Sequence, residues 1–260
     1  MQLDKTRITI RERSYAELLD LAMRVAWTHA FPLAASLAVG VVPLAALNAW
    51  LLWGWRSADF DWGFPATYMT LVACLTAVER PLATAAMTIY LGKAMFHQRP
   101  SWREVFADLR QSLGRLLLVQ GLFRIAFLLR PFANHVLLLE RNPLVGRDPA
   151  VPSFRKRVGR LHADNGSEVS RALLVELPLE GIMIGVCLVC LALTIALLSN
   201  DFEWDRAYCT VAFPAVLWGV VGFFEVARFL EYLDIRIRRE GWEVELLLRA
   251  ERDRLQRRLT

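Results

Sequence analysis

The chain has 260 residues, 55% of them hydrophobic, with 31 Lys and Arg against 26 Asp and Glu for a net charge of +5. That is too apolar for an ordinary soluble domain of this length. Uncharged runs of about 20 residues exclude a basic nucleic-acid binder over most of it. Charges concentrate at 1–24, 99–115, 140–171 and 225–258, whereas 54–66 and 200–208 keep only Arg56 and Arg206 as cations and carry Asp59, Asp61, Asp201, Glu203 and Asp205. Positive charge stays inside, so the basic parts are expected in the cytoplasm and the acidic loops outside.

The first 24 residues hold Lys5, Arg7, Arg11, Arg13 and Arg24 without an apolar core. The first span therefore reads as an uncleaved signal anchor. That span, Ala30–Trp53, is uncharged and long enough, at about 1.5 Å per residue, to cross a hydrocarbon core of ~30 Å. Trp50, Trp53 and Trp55 form an aromatic belt at its outer end, answered by Trp62 and Tyr68. The return runs from Phe64 to about Gly92 and is interrupted by Glu79-Arg80-Pro81, where the proline removes a backbone donor and predicts a kink. Leu116–Leu139 is broken by Arg124 and by Arg130-Pro131 into pieces too short to cross alone. It is either one tilted span or a hairpin that enters and returns. Seven cations in 141–171 put both of its ends inside and favour the hairpin. Gly181–Asn200 is an uninterrupted span outward and Ala207–Phe224 a span back.

The resulting expectation is an all-α polytopic membrane protein of about six membrane segments in three hairpins, with both termini cytoplasmic. Each hairpin follows a capping-box signature: Ser14-Tyr-Ala-Glu17, Ser101-Trp-Arg-Glu104 and, more loosely, Asn165-Gly-Ser-Glu168. The unit is thus an interfacial amphipathic helix plus a hairpin, repeated over roughly 14–97, 101–140 and 165–232 within one membrane domain, 1–232. Residues 233–260 form a cytoplasmic tail, in which Gly241 weakens the helix and Trp242, Leu246, Leu247, Ala250, Leu255 and Leu259 give an amphipathic face.

Ionisable residues at membrane depth are costly and are the first functional candidates: Glu79, Arg80, Arg124, Arg130, Glu176, Glu180, Glu225 and Arg228. Glu79 reads either as a proton or cation relay beside the Pro81 break, or as half of a structural pair with Arg124 or Arg228. Arg80 reads also as a snorkelling cation. Arg228, Arg236, Arg238 and Arg239, with Glu225 and Asp234, build a charged collar suited either to anionic headgroups and phosphate or to plain positive-inside anchoring. Cys187-Leu-Val-Cys190 has redox or metal spacing, but no second pair or histidine cluster accompanies it. Cys74, Cys187, Cys190 and Cys209 read as small packing residues. Gly181 and Gly185 predict close helix packing. His29, His97, His135 and His162 have no ligand spacing, and no cofactor or metal is expected.

Leu138-Leu-Glu-Arg-Asn142 and the run Tyr232-Leu-Asp-Ile-Arg-Ile-Arg-Arg-Glu-Gly-Trp-Glu-Val-Glu-Leu246, with the three-fold plan, resemble bacterial six-span inner-membrane proteins of the YciC-like group. They also resemble the membrane domain attached to some glycerophosphodiester phosphodiesterases. The resemblance implies a fold and a place in the bacterial cytoplasmic membrane, and no chemistry. The function expected is a non-enzymatic scaffold or assembly partner engaging membrane lipids, other membrane proteins or further copies of itself. A small transporter or channel using Glu79-Arg80-Pro81 and the 116–139 hairpin is the alternative. An enzyme would need a pairing such as Glu79 with His135.

Overall fold

A computed structural model describes residues 14–54, 65–95, 100–122, 132–140, 142–144, 152–163, 172–199 and 208–240, and every regular element among them is helical. In chain order these are α1 (Tyr15–Thr28), α2 (Ala30–Leu51), α3 (Ala66–Ala83), α4 (Ala85–Ala94) and α5 (Trp102–Leu122). After them come α6 (Ala133–His135, widening into a π turn at Val136–Glu140), α7 (Phe154–Ala163), α8 (Leu177–Ser199, entered through a π turn at Ala172–Glu176) and α9 (Phe213–Glu240, entered through a π turn at Tyr208–Ala212).

The first capping box forms in full. Ser14 Oγ accepts from the Glu17 amide at 3.3 Å, and the Glu17 carboxylate accepts from the Ser14 amide at 3.2 Å. Both atoms would otherwise leave unpaired donors at the helix start. Helix α5 starts directly after Ser101, although its Glu104 accepts from Lys93 Nζ at 3.2 Å. The third box, at 165–168, lies outside the described residues. Pro81 sits inside α3, and the interruption comes three residues later, at Thr84. There the Thr84 amide keeps the helical bond to the Arg80 carbonyl at 3.0 Å while its hydroxyl back-bonds to the same oxygen at 2.9 Å, an arrangement that bends a helix.

Among the described residues, four stretches are long and apolar enough to cross a membrane: Ala30–Leu51, Ala66–Ala94, Leu174–Leu198 and Tyr208–Arg236. Two are central and two peripheral. More than half of the most apolar part of α3–α4 and of α9 is buried, against little of α2 and none of α8. The middle segment, 116–139, is not among the four. Its beginning completes α5, 123–131 lie outside the described residues, and α6 folds onto α4 and α9.

Glycines fix the helix register. Gly40 of α2 lies so close to Ala83 that a methyl group would overlap the Ala83 backbone, and a methyl at Gly222 of α9 would press on Leu37. Residue 83 is therefore level with 40, and residue 222 with 37. Gly181 and Gly185, where close packing is predicted, meet nothing within 4 Å. Helix geometry explains it: Glu176 and Glu180 turn inward, which rotates the glycines about 140° away, at 100° per residue.

The largest core lies around the ends of α4 and α9 farther from residues 54, 65, 199 and 208, hereafter the basic end. Leu18 and Ala22 of α1, Met87 and Tyr90 of α4, Val105 and Leu116 of α5, Val136 and Leu137 of α6, Phe154 and Val158 of α7, and Phe229 and Tyr232 of α9 all join it. Gly92 abuts the Leu139 side chain there. All four cysteines are free thiols. Cys209 is buried and Cys187 half-buried, whereas Cys74 and Cys190 face outward on apolar helices.

Candidate functional site

An ionic cluster joins the central helices to α8. Arg80 reaches from α3 toward the basic end and places one guanidinium nitrogen, Nη1, 3.0 and 2.8 Å from the two carboxylate oxygens of Glu180. Its Nη2 stands 3.8 Å from Glu176 Oε1, which Arg228 of α9 also approaches through Nε at 2.5 Å. On the other side Glu225 Oε1 accepts from Thr88 Oγ1 at 2.9 Å and lies 3.4 Å from His135 Nε2. Glu176, Glu180, Glu225 and His135 are all buried. Three carboxylates thus meet two guanidinium groups and one imidazole.

The spacing on the helices produces this arrangement. Glu176 and Glu180 are one turn apart at the start of α8, and Glu225 and Arg228 share a face of α9. Arg228 lies six residues beyond Gly222, so it is level with Phe31, six residues before Leu37. The cluster therefore extends inward from the start of α2, reaching toward the middle of the bundle at Arg80. Buried ion pairs hold together when both partners stay, because either charge alone would be stranded without water.

Five of the charged candidates at membrane depth, Arg80, Glu176, Glu180, Glu225 and Arg228, thus come together. Glu79 does not join them. It is buried at the adjacent position and accepts from Asn48 Nδ2 of α2 at 2.8 Å. Neither Arg228 nor His135 is its partner. Arg124 and Arg130 lie outside the described residues. Arg80 ends on carboxylates instead of snorkelling to a surface.

The collar divides. Arg228 is drawn into the cluster, and Arg236 turns back on its own helix, with its guanidinium 5.8 Å from the Tyr232 ring centre and Nε 3.7 Å from Glu140 Oε1. Arg238 and Arg239 stand in the last turn of α9, and their side chains lie outside the described residues. A second knot sits here. Glu140 accepts from Arg157 Nε and Nη2 at 2.5 and 2.9 Å, from Tyr232 Oη at 2.7 Å and from Asn142 Nδ2 at 3.1 Å. Burial raises the Glu140 carboxyl, but the bonds from Arg157 and Tyr232 outweigh it and hold the group below its ordinary range.

Thr88, Asn48 and Glu140 are the members that sequence reasoning misses, and His135, considered there only as a partner of Glu79, meets Glu225 instead. Glu140 and Tyr232 carried a signal, since each belongs to one of the two stretches that support the family resemblance, and those stretches touch through this pair. Asn48 carried none, being one amide in an otherwise apolar span. Among the described residues no three His, Cys, Asp or Glu side chains are placed so that they could hold a metal ion.

Compared with known protein families, curated proteins and solved structures, the chain finds no match in any of the three.

Proposed function

We propose that this chain is a non-catalytic integral membrane protein, a scaffold or assembly partner whose basic face engages anionic lipid and other proteins at the inner side of a bacterial cytoplasmic membrane. Four helices cross: 30–51 outward, 66–94 inward, 174–198 outward and 208–236 inward, with both termini inside. The middle unit, 101–140, opens with α5 and carries the 116–139 hairpin, and its two described parts, α5 and α6, both pack on α4. Trp102 stacks on Tyr90, with ring centres 5.7 Å apart, and at its other end Leu139 packs on Gly92.

The observation that carries this reading is the division between two kinds of charge. Those gathered in the cluster are consumed by one another, Arg80 by Glu180 and Arg228 by Glu176, while Glu79 stands apart on Asn48. At the basic end Arg103 and Arg110 of α5 and Arg155, Lys156 and Arg160 of α7 stand exposed, while α7 buries Phe154, Val158 and Leu161. Charges locked in pairs hold helices together; exposed cations beside a membrane attract anionic lipid. The test is to purify the protein from mixed-lipid membranes and quantify the lipids and proteins retained. Exchanging Arg155, Lys156 and Arg160 together for Gln should deplete anionic lipid or a bound partner. Retention of both at wild-type levels would refute the reading.

A second reading, a small transporter, has one observation in its favour. Asn48 Oδ1 and Thr76 Oγ1 are buried without a hydrogen-bond partner on the face that carries Glu79. Proton or cation flux into proteoliposomes that Glu79→Gln abolishes would favour it over the scaffold.

A further inference from the structure

Helix α5 is divided lengthwise into three arcs. Val105, Ser112, Leu116 and Val119 are buried against the core. Trp102, Phe106, Leu113 and Leu117 are exposed by 37, 47, 38 and 55%. At 100° per residue these four fall within about 60° of one another, one continuous apolar stripe. Arg103 and Arg110, both exposed, lie just beyond the stripe on the side away from the core, and Gln111 and Arg115 continue the polar arc, which Leu118, 42% exposed, interrupts near the end of the helix. A helix facing only water and protein has no use for the middle arc. A helix lying at a bilayer surface needs it.

The depth of the stripe points to its occupant. Trp102 stacks on Tyr90 near the basic end of a crossing stretch, and Lys93 ties that end to Glu104 and Asp108 at 3.2 and 2.9 Å. At the same end of the bundle Trp27 and Phe31 are 85 and 83% exposed, and at the opposite end of α2 Trp50 is 72% exposed. Phe31 and Trp50 are separated by about 28 Å at helical rise, close to the hydrocarbon thickness. The two sets of rings mark the two edges of the apolar layer. Trp102 and Phe106 belong to the edge that Trp27 and Phe31 define.

We propose that α5 lies in the inner headgroup–acyl boundary, with Trp102, Phe106, Leu113 and Leu117 immersed in acyl chains and Arg103 and Arg110 holding the phosphates of anionic lipids. The proposal rests on the membrane reading above and adds the element that lies in the lipid, its depth and the atoms of the lipid it holds. Guanidinium groups beside an apolar stripe match a lipid whose phosphate sits directly above its chains. A protein partner would need neither the shared depth with Trp27 nor the row of arginines.

The test uses the full chain with its four cysteines replaced, reconstituted in vesicles of phosphatidylcholine with one-third phosphatidylglycerol. Spin labels are placed singly at 103, 106, 110, 113 and 117. Labels at 106, 113 and 117 should be relaxed by oxygen more than by a polar nickel chelate, and those at 103 and 110 the reverse. Labels at 106 and 113 reached chiefly by the chelate would overturn the proposal. So would labels there shielded from both reagents, since that indicates a protein partner or a second copy. A second measurement keeps the native cysteines: exchanging Arg103 and Arg110 for Gln should lower retained phosphatidylglycerol relative to phosphatidylcholine by about fivefold per arginine at those sites. An unchanged ratio would remove the lipid-selective part. If α5 proves wet while the α7 cations still retain lipid, the inference fails and the broader function stands.

Discussion

Removing one charge from the buried cluster should matter more than removing its partner, and the charge balance says which. With Arg80→Met the three carboxylates Glu176, Glu180 and Glu225 face Arg228 alone, leaving two negative charges in excess where the native cluster leaves one. Arg80 and Glu180 have side chains only 13 and 9% exposed, so water cannot replace the lost partner. Breaking such a pair costs about 3–5 kcal/mol. Glu180→Met, by contrast, leaves two carboxylates with two guanidinium groups, and Arg80 still has Glu176 at 3.8 Å. Its cost should stay nearer the ~1–3 kcal/mol of one unsatisfied group. The double variant Arg80→Met/Glu180→Met restores the native imbalance with apolar side chains and should recover most of the loss. The assay is a double-mutant cycle on equilibrium unfolding in mild detergent. An Arg80→Met no more harmful than Glu180→Met, or a double variant as unstable as Arg80→Met, would refute the argument.

Three further outcomes follow from packing and protonation. Gly40→Ala should cost about 1–3 kcal/mol by forcing α2 off α3, whereas Gly185→Ala, with open space around it, should leave the unfolding midpoint in detergent unchanged. Glu140 has a depressed folded pKa, so its contribution is present above its unfolded value near 4.5 and lost as pH falls through the lower folded value. Wild-type stability should therefore drop as acid is added from pH 5 downward, and Glu140→Gln should be less stable at pH 7 with a shallower acid dependence. Tyr232→Phe should reproduce part of the Glu140→Gln loss, about 1 kcal/mol, because one donor disappears while Arg157 remains.

Much of this architecture was legible in the sequence because membrane insertion imposes a simple rule: apolar length and charge placement. Ala30–Leu51 and the part of α8 beyond Glu180 announce themselves by the absence of any charge. The charged candidates Arg80, Glu176, Glu180, Glu225 and Arg228 were legible for the same reason, since an ion in such surroundings needs a partner. Which ions pair was not legible, because pairing depends on helix rotation, which apolar composition does not encode. Gly181 and Gly185 show the point: the spacing suits close packing, yet the inward turn of Glu176 and Glu180 takes that face away, and Gly40 and Gly222 make the contacts instead. The 116–139 stretch was ambiguous because hydropathy alone does not distinguish a buried protein core from a lipid one, and α6 is packed in the first.

The most direct measurement for the whole account is sidedness in intact cells. In a cysteine-free chain, single cysteines at Ser57 and Glu203 should react with a membrane-impermeant maleimide added outside. Cysteines at Lys156 and Arg115 should react only after the cells are opened. Labelling of position 156 or 115 from outside, or protection of 57 and 203, would contradict it.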